Sequence, residues 1–295
     1  MSNLDGLLLH PVTGLQIQNV LTNPPHAIML TGPGGSGKST LAKTLAGSLL
    51  EIKKTSLETY PYFIYVGRPK NKQEIAIEQI REIINGLKLK VPVGKKTQRV
   101  VFIEEAHFMS LPAQNALLKI LEEPPAGVVF LLSATSAHDV LPTISSRTQV
   151  LQVLQVGLSA SLAYWNNQYP DKTIESAWRL SGGCVGLLQA LLDDDLKHPL
   201  KEAVEQARRF IAVKTYERLL IINDLSSNKE QLGLFIDALI RILNYLQSSA
   251  INSHKVKQSN NLRISRKRLL RLQKALANNS NAKLLALNLV LNLKV

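Results

Sequence analysis

The fold is decided by one stretch of sequence, Gly32-Pro33-Gly34-Gly35-Ser36-Gly37-Lys38-Ser39, which is followed by Thr40. It matches the phosphate-binding pattern G-x-x-x-x-G-K-[ST] at every fixed position. The glycines let the backbone wrap so that successive N–H groups point at one anion, and the positive end of the following helix faces the same point. An apolar strand pattern precedes the stretch at 26–30 and a helical pattern follows it at 40–46, as the motif requires.

This loop predicts ATP and Mg²⁺ as cofactors. The residues expected to bind the nucleotide are Gly32, Gly34, Gly35, Ser36, Gly37, Lys38, Ser39 and Thr40. Lys38 would reach the β- and γ-phosphates, and the Ser39 hydroxyl would hold Mg²⁺. The alternative is a glycine turn that joins a strand to a helix without binding a ligand.

A second apolar strand pattern, at 99–103, ends in the carboxylates Glu104 and Glu105. Glu104 is expected to contact the Mg²⁺ shell, and Glu105 to orient or deprotonate the attacking water. Solvated acids at the end of a strand are the alternative. Most such ATPases have aspartate at the first position, and glutamate is one methylene longer. We therefore expect weak or absent intrinsic ATPase activity.

The first half of the chain alternates strand-like and helical patterns. Apolar runs at 62–66 and 128–132 predict further strands, and the ranges 74–87 and 112–123 have helical spacing. Continuous apolar strands separated by helices indicate a parallel sheet covered on both faces. From residue 158 onward the chain reads as helices, although Leu287–Leu293 alternates in a way that fits either a strand or a helix.

Composition limits where the protein works and what it binds. The single cysteine, Cys184, excludes an internal disulfide framework and a four-cysteine zinc site. No signal peptide pattern and no uncharged apolar run of membrane-spanning length is present, so a cytoplasmic protein with no membrane partner is expected.

The net charge of +13 is unevenly distributed. Asp237 is the last acidic residue, and eleven basic residues follow it. Such a region suits an anionic partner, either nucleic acid or an acidic face of a neighbouring subunit. The sequence leaves these two open, together with a merely solvated helix surface.

Three further stretches resemble one family. Ala113–Pro125 resembles the N-A-L-L-K-x-L-E-E-P-P signature of bacterial DNA polymerase III clamp-loader subunits, which are AAA+ proteins. Leu141–Thr148 is similar to their L-P-T-I-x-S-R-C, and Ile77–Ile83 to their I-D-Q-I-R-E-L. The resemblance implies an α/β AAA+ P-loop core with a parallel sheet at 1–155, a small helical lid at 156–197, and an all-α collar and oligomerisation domain at 198–295.

Within that family the chain looks like the delta-prime type, which is usually a weak or inactive ATPase. Glu104 replaces the aspartate of the motor subunits. Ser181–Leu187 resembles the delta-prime S-G-G-S-P-G pattern, which puts Gly186 where motor subunits carry a lid arginine. The chain also ends soon after the collar. The alternatives are a gamma/tau-type motor subunit, a stand-alone AAA+ ATPase acting on nucleic acid, and a purely structural subunit.

The resemblance implies two further catalytic residues. Arg147 would reach the nucleotide of a neighbouring subunit in trans, the alternative being a surface arginine that caps a helix. Thr135 would be a polar sensor of the γ-phosphate, or else a buried threonine of its own strand. The cysteines of the family's zinc module are missing, so no zinc is predicted.

The implied function is that of a subunit in a hetero-oligomer. Its partners would be the gamma/tau and delta subunits and, through the complex, the sliding clamp and primed DNA. The complex would open the clamp and load it on DNA during replication.

Overall fold

The computed structural model describes residues 6–52, 56–69, 72, 74–87, 97–193, 198–277 and 280–293. The described residues fall into two compact units. The first, which we call the sheet unit, comprises Met1–Tyr164 and Cys184–Gly186. The second, which we call the helical unit, comprises Trp165–Gly183 and Leu187–Val295.

Within the described residues, the sheet unit contains five parallel strands in the order β2-β3-β4-β1-β5. The strands are β1 Ala27–Thr31, β2 Phe63–Val66, β3 Arg99–Ile103, β4 Val128–Ala134 and β5 Gln149–Gln152. The three central strands are buried along their whole length. Continuous apolar runs form such strands because each face of a parallel sheet is covered by helices.

Helices cover both faces of this sheet. They are α1 Pro11–Thr22, α2 Lys38–Leu50, α3 Ile77–Leu87, α4 Leu111–Glu122 and α5 Pro142–Ser145. Helix α6, Leu158–Trp165, follows the last strand. Val100 and Phe102 of β3 belong to the apolar cluster that includes α1 and α2. Val101 and Ile103 belong to the cluster of α3 and α4. The alternation follows from the two-residue repeat of a strand.

The helical unit is built from α7 Asp171–Ser181, α8 Val185–Leu192, α9 Pro199–Ala212, α10 Thr215–Ser226, α11 Lys229–Asn252, α12 Val256–Ala277 and α13 Ala282–Asn292. The first two residues of α8 belong to the sheet unit. The long helix α11 packs against α9 and α12. Phe210 of α9 meets Phe235 of α11 edge to face, with ring centroids 5.3 Å apart, in the middle of the apolar core.

Among the described residues, α11 is the one helix that is long and apolar enough, by length and composition, to cross a membrane. Its apolar side chains have another explanation. Leu232, Ile236 and Leu239 are buried in the core of the helical unit. Asp237 and Arg241 form an ion pair in the middle of the same helix, with 2.8 Å between Oδ2 and Nε.

The parallel sheet with helices on both faces confirms the predicted α/β class. Leu287–Leu293, which fits either state by sequence, lies mostly in helix α13. Sequence reasoning missed α1 and the edge strand β5, in which only Leu151 is buried. The division at 155/156 and 197/198 stays a prediction, and residues 194–197 lie outside the described residues.

Candidate functional site

The glycine-rich loop connects β1 to α2 at the carboxyl end of the sheet. Gly35 and Gly37 have φ of 78° and 89°, conformations that an L side chain rarely adopts. The Gly32 N–H donates to the Thr135 carbonyl at 3.2 Å, which ties the loop to the end of β4. Helix α2 begins at Lys38 without a side-chain cap, so the N–H groups of its first turn are not satisfied by a capping side chain.

Two polar side chains of the loop are turned inward. The Lys38 ammonium donates to the carbonyls of Gly32 at 2.7 Å and Pro33 at 2.9 Å. Burial lowers the pKa of Lys38, and the nearby Glu105 is the largest effect that opposes this. The Ser36 hydroxyl is buried and has no hydrogen-bond partner within the described part of the chain. An unsatisfied buried hydroxyl is costly, and it suits a ligand that supplies acceptors.

Three side chains meet at the end of β3. The Ser39 hydroxyl donates to one carboxylate oxygen of Glu104, and the Tyr65 hydroxyl donates to the other. Burial and then the hydrogen bond to Glu104 raise the pKa of Tyr65 well above its usual value. Sequence reasoning predicted that Ser39 and Glu104 would lie together but missed Tyr65, a lone tyrosine on the edge strand β2 that no motif marks.

Glu105 and Thr135 lie at the ends of the neighbouring strands β3 and β4. Glu105 is exposed and has a left-handed backbone with φ of 51°. Such a conformation costs roughly 1–2 kcal/mol for a residue with a side chain. Its N–H donates to the buried Ser133 hydroxyl at 2.9 Å. Thr135 is exposed, so the alternative of a buried threonine is wrong, and its carbonyl is what contacts the loop.

Gly186 packs directly on the glycine-rich loop. A Cβ added at this position would lie 2.9 Å from the Gly35 carbonyl oxygen and 3.3 Å from the Gly37 nitrogen. Real Cβ atoms do not approach backbone this closely, so the site accepts a residue without a side chain. A larger side chain at this position therefore has no room in this arrangement.

Arg147 follows α5 and lies partly exposed on the surface of the sheet unit. Its guanidinium donates from Nη1 to the Thr143 carbonyl at 3.0 Å. Nη2 pairs with Glu122 Oε1 at 2.7 Å. The bond to the Thr143 carbonyl fits the alternative of a helix-capping surface arginine, and neither contact uses a residue of the glycine-rich loop.

The loop and its surroundings fit a nucleoside triphosphate with Mg²⁺. The uncapped start of α2 and the unsatisfied Ser36 hydroxyl suit phosphate oxygens. The contact between the Ser39 hydroxyl and the Glu104 carboxylate brings together two oxygen ligands of the kind that Mg²⁺ prefers.

Comparison with known proteins shows what the chain is similar to. Residues 14–156 match the family described as DNA polymerase III, delta subunit. DNA polymerase III subunit delta-prime of Pseudomonas aeruginosa is 30% identical over 203 residues, which cover 63% of this chain and 61% of that protein. Subunit tau of Bacillus subtilis is 26% identical over 228 residues, which cover 71% of this chain and 39% of that protein. The chain thus spans less than two thirds of the length of these relatives.

The solved structure of a DNA polymerase III gamma subunit-related protein from Thermotoga maritima is similar in fold. The match covers 95% of this chain and 97% of that chain, with a TM-score of 0.53 and 20% identity. The fold is the α/β fold of AAA+ proteins. The chain is thus similar to DNA polymerase III subunits, and the family match over residues 14–156 together with the delta-prime relatives supports the delta-prime type.

Proposed function

We propose that this chain is a delta-prime subunit of a DNA polymerase III clamp loader that binds ATP without efficient turnover. It contributes Arg147 to the nucleotide site of a neighbouring subunit, so that the complex opens the sliding clamp and loads it on primed DNA. The observation that carries this proposal is the packing of Gly186 on the glycine-rich loop. An otherwise complete binding loop faces a position that holds no arginine.

The nucleotide is held by the residues predicted from the loop. The backbone of Gly32–Gly37 and the first turn of α2, including Thr40, surround the phosphates, and Lys38 exchanges its carbonyl partners for phosphate oxygens. Ser39 and Glu104 hold Mg²⁺, which neutralises charge on the phosphates when it is bound. Glu105 orients or deprotonates water, and Thr135 acts as the polar sensor.

Weak turnover follows from the surroundings of these residues. The Glu104 carboxylate is shared between the Ser39 and Tyr65 hydroxyls. No arginine reaches the loop from the Gly186 position, so charge that develops on the transferring phosphoryl lacks one of its usual stabilisers.

Arg147 is able to serve another subunit because its hydrogen bond to the Thr143 carbonyl and its ion pair with Glu122 are both exposed to solvent. Its ion pair joins side chains that are 35% and 50% exposed. Exposed pairs of this kind contribute about 0–1 kcal/mol, so moving the guanidinium away from Glu122 costs little. A guanidinium fork is well suited to phosphate oxygens.

Assembly with gamma/tau and delta subunits uses the predicted collar, residues 198–295. Two of its helices expose large apolar side chains at helical spacing. These are Tyr216, Leu219 and Leu220 on α10, and Leu284, Leu287 and Leu291 on α13. The two helices pack against each other, so the exposed side chains suit the collar of a neighbouring subunit in a cytoplasmic hetero-oligomer.

The test is Arg147→Ala in the reconstituted clamp loader, with Arg179→Ala as a matched control. Arg179 is also a partly exposed arginine in an ion pair, with Glu175 at 3.5 Å. Trans arginines contribute roughly 10³–10⁵ in rate. We expect DNA-stimulated ATPase and clamp loading to fall by about 10³ with Arg147→Ala only. Unchanged rates would show that Arg147 has no trans role.

The intact loop also favours a second candidate, a gamma/tau-type motor subunit. A single-turnover assay on the isolated chain separates the two functions. Brisk hydrolysis by the chain alone supports the motor, whereas nucleotide binding without hydrolysis supports the delta-prime role.

A further inference from the structure

Helix α12 has an unusual distribution of charge. It contains no acidic residue and seven basic ones, which are Lys257, Arg263, Arg266, Lys267, Arg268, Arg271 and Lys274. The side chains that it buries are Leu262, Ser265, Leu269 and Leu276. At 3.6 residues per turn these four lie on one side of the helix. The opposite side is therefore available for a partner.

Four of the basic residues form one row on that opposite side. Arg263, Lys267, Arg271 and Lys274 follow each other at intervals of four, four and three residues, so they fall within an arc of about 80°. We call them the α12 basic row. All four are exposed, and within the described residues none of their side chains makes a hydrogen bond or an ion pair.

Two other basic residues of α12 have structural partners. Arg266 donates from Nη1 to the Asn244 side-chain carbonyl at 2.5 Å. Arg268 donates from Nη1 to the Asn292 carbonyl, at the end of α13, at 2.7 Å. These contacts tie α12 to α11 and α13. Helix α12 therefore has two kinds of basic residue. Arg266 and Arg268 bind it to neighbouring helices, whereas the α12 basic row makes no such contact.

The row is unfavourable for the chain by itself. Like charges three or four positions apart on a helix repel by roughly 0.2–0.5 kcal/mol for each pair. No acidic residue follows Asp237 in the sequence to offset this repulsion. An anionic partner that spans several turns of the helix would remove it.

We propose that the α12 basic row binds the phosphate backbone of nucleic acid without reading its sequence. Neighbouring members of the row are about 6 Å apart along the helix axis, so a polyanion with regularly repeated charges can engage all four. A protein partner fits less well, because the buried centres of protein interfaces are depleted in charge and rich in apolar side chains. In this unit such side chains lie on α10 and α13.

The inference deepens the primed-DNA part of the proposed function and depends on no residue of the nucleotide site. It can therefore be tested on the isolated full chain without nucleotide. Binding of labelled single-stranded and duplex oligonucleotides is measured by anisotropy over a range of salt concentrations. Four phosphate contacts predict that log K falls with log[salt] with a slope of about −3 to −4.

The decisive variants are two matched pairs on the same helix. Arg263→Gln with Lys267→Gln removes two charges of the row and is expected to reduce the salt slope by about 1.4–1.8. Arg266→Gln with Arg268→Gln removes the same charge from the structural arginines and is expected to leave the slope unchanged. Circular dichroism confirms that both variants stay helical.

Three results would overturn the inference. The row variant could bind oligonucleotides like the wild type, or the two pairs could reduce the slope equally. The row variant could also bind DNA normally and yet fail to join the reconstituted complex, which would assign the row to an acidic neighbouring subunit. If the row variant lost DNA binding while Arg147 still supported ATP hydrolysis in the complex, the DNA-binding surface would be separate from the catalytic role of Arg147.

Discussion

Helices α2 and α9 begin in opposite ways. Helix α2 follows Gly37, which has a left-handed backbone and offers no capping side chain. Helix α9 follows His198, whose Nδ1 accepts a hydrogen bond from the Leu200 N–H at 3.1 Å. Every helix start leaves N–H groups unsatisfied. At the start of α9 the chain satisfies one of them with its own side chain, whereas at the start of α2 they are left for a ligand.

Two other helix starts of the helical unit, those of α11 and α13, extend the contrast. Asn228 accepts from the N–H groups of Glu230 and Gln231 at the start of α11. Asn281 accepts from Lys283 and Leu284 at the start of α13. Helix starts of this kind cannot also bind an anion. An anion is therefore expected to bind at the start of α2 in the sheet unit. In the helical unit it is expected to bind on a helix surface, such as the α12 basic row.

The largest expected effect is at that start. Lys38→Ala removes a buried ammonium that would make charge-assisted hydrogen bonds to phosphate, each worth about 1.5–3 kcal/mol. We expect ATP affinity to fall by roughly 100-fold, or about 3 kcal/mol. The measurement is titration of the isolated chain with a fluorescent ATP analogue.

Lys43→Ala is the matched control for this experiment. Lys43 lies farther along the same helix, and it pairs with the exposed Glu58 at 2.9 Å. Its replacement is expected to leave affinity within about twofold, since its partner Glu58 is exposed and such pairs contribute little. Equal losses in the two variants would mean that the start of α2 is not where the nucleotide binds.

The next effect concerns the packing of Gly186 on the glycine-rich loop. Gly186→Ala puts a Cβ 2.9 Å from the Gly35 carbonyl oxygen. Overpacking of this kind costs about 1–3 kcal/mol, so the free energy of unfolding measured in urea is expected to fall by that amount. The affinity for the fluorescent ATP analogue is expected to fall as well.

Gly14→Ala provides the comparison for Gly186→Ala. Gly14 lies in α1, and an added Cβ would have nothing within 4 Å. Alanine in a helix is favoured over glycine by up to about 1 kcal/mol, so this variant is expected to be neutral or slightly stabilised. If Gly186→Ala proved equally harmless, this position would have room for a side chain, contrary to the packing seen here.

The loop could be predicted from the sequence because its conformation is encoded locally. Gly35 and Gly37 permit the positive φ that the turn needs, and the motif places Lys38 and Ser39 at the helix start. The sequence could not predict the Arg147–Glu122 ion pair, because it joins two helix ends that are adjacent only in the folded chain. Motif and spacing predict the conformation of the loop, whereas the ion pair depends on tertiary packing.

The polar residues near the loop show the same limit. Thr135 and Ser133 are two positions apart at the end of β4, so alternation along a strand does not separate them. Only the structure shows that Ser133 is the buried hydroxyl and that it accepts from the Glu105 N–H. Tyr65 was beyond prediction because its partner, Glu104, lies on the neighbouring strand.

The smallest expected effect concerns the start of α9, which is capped by the side chain of His198. Burial lowers the pKa of His198, and the charge of Arg241 lowers it further. The unfolded chain, with a histidine pKa near 6.5, therefore binds the proton first. Stability is unaffected well above that pH and falls as the pH drops below about 6.5, because the unfolded chain gains a proton that the buried histidine resists.

His198→Asn separates the cap from its titration. Asparagine also caps helices, so the variant is expected to match the wild type in urea unfolding at pH 7.5 and to lose less stability at pH 5.5. His198→Ala should be about 1 kcal/mol less stable already at pH 7.5, since the cap is gone. If the wild type and His198→Asn lost the same stability between pH 7.5 and pH 5.5, the acid sensitivity would belong to a group other than His198. Neither variant should change ATP affinity, because this helix start is satisfied by its own chain, whereas that of α2 is left for the nucleotide.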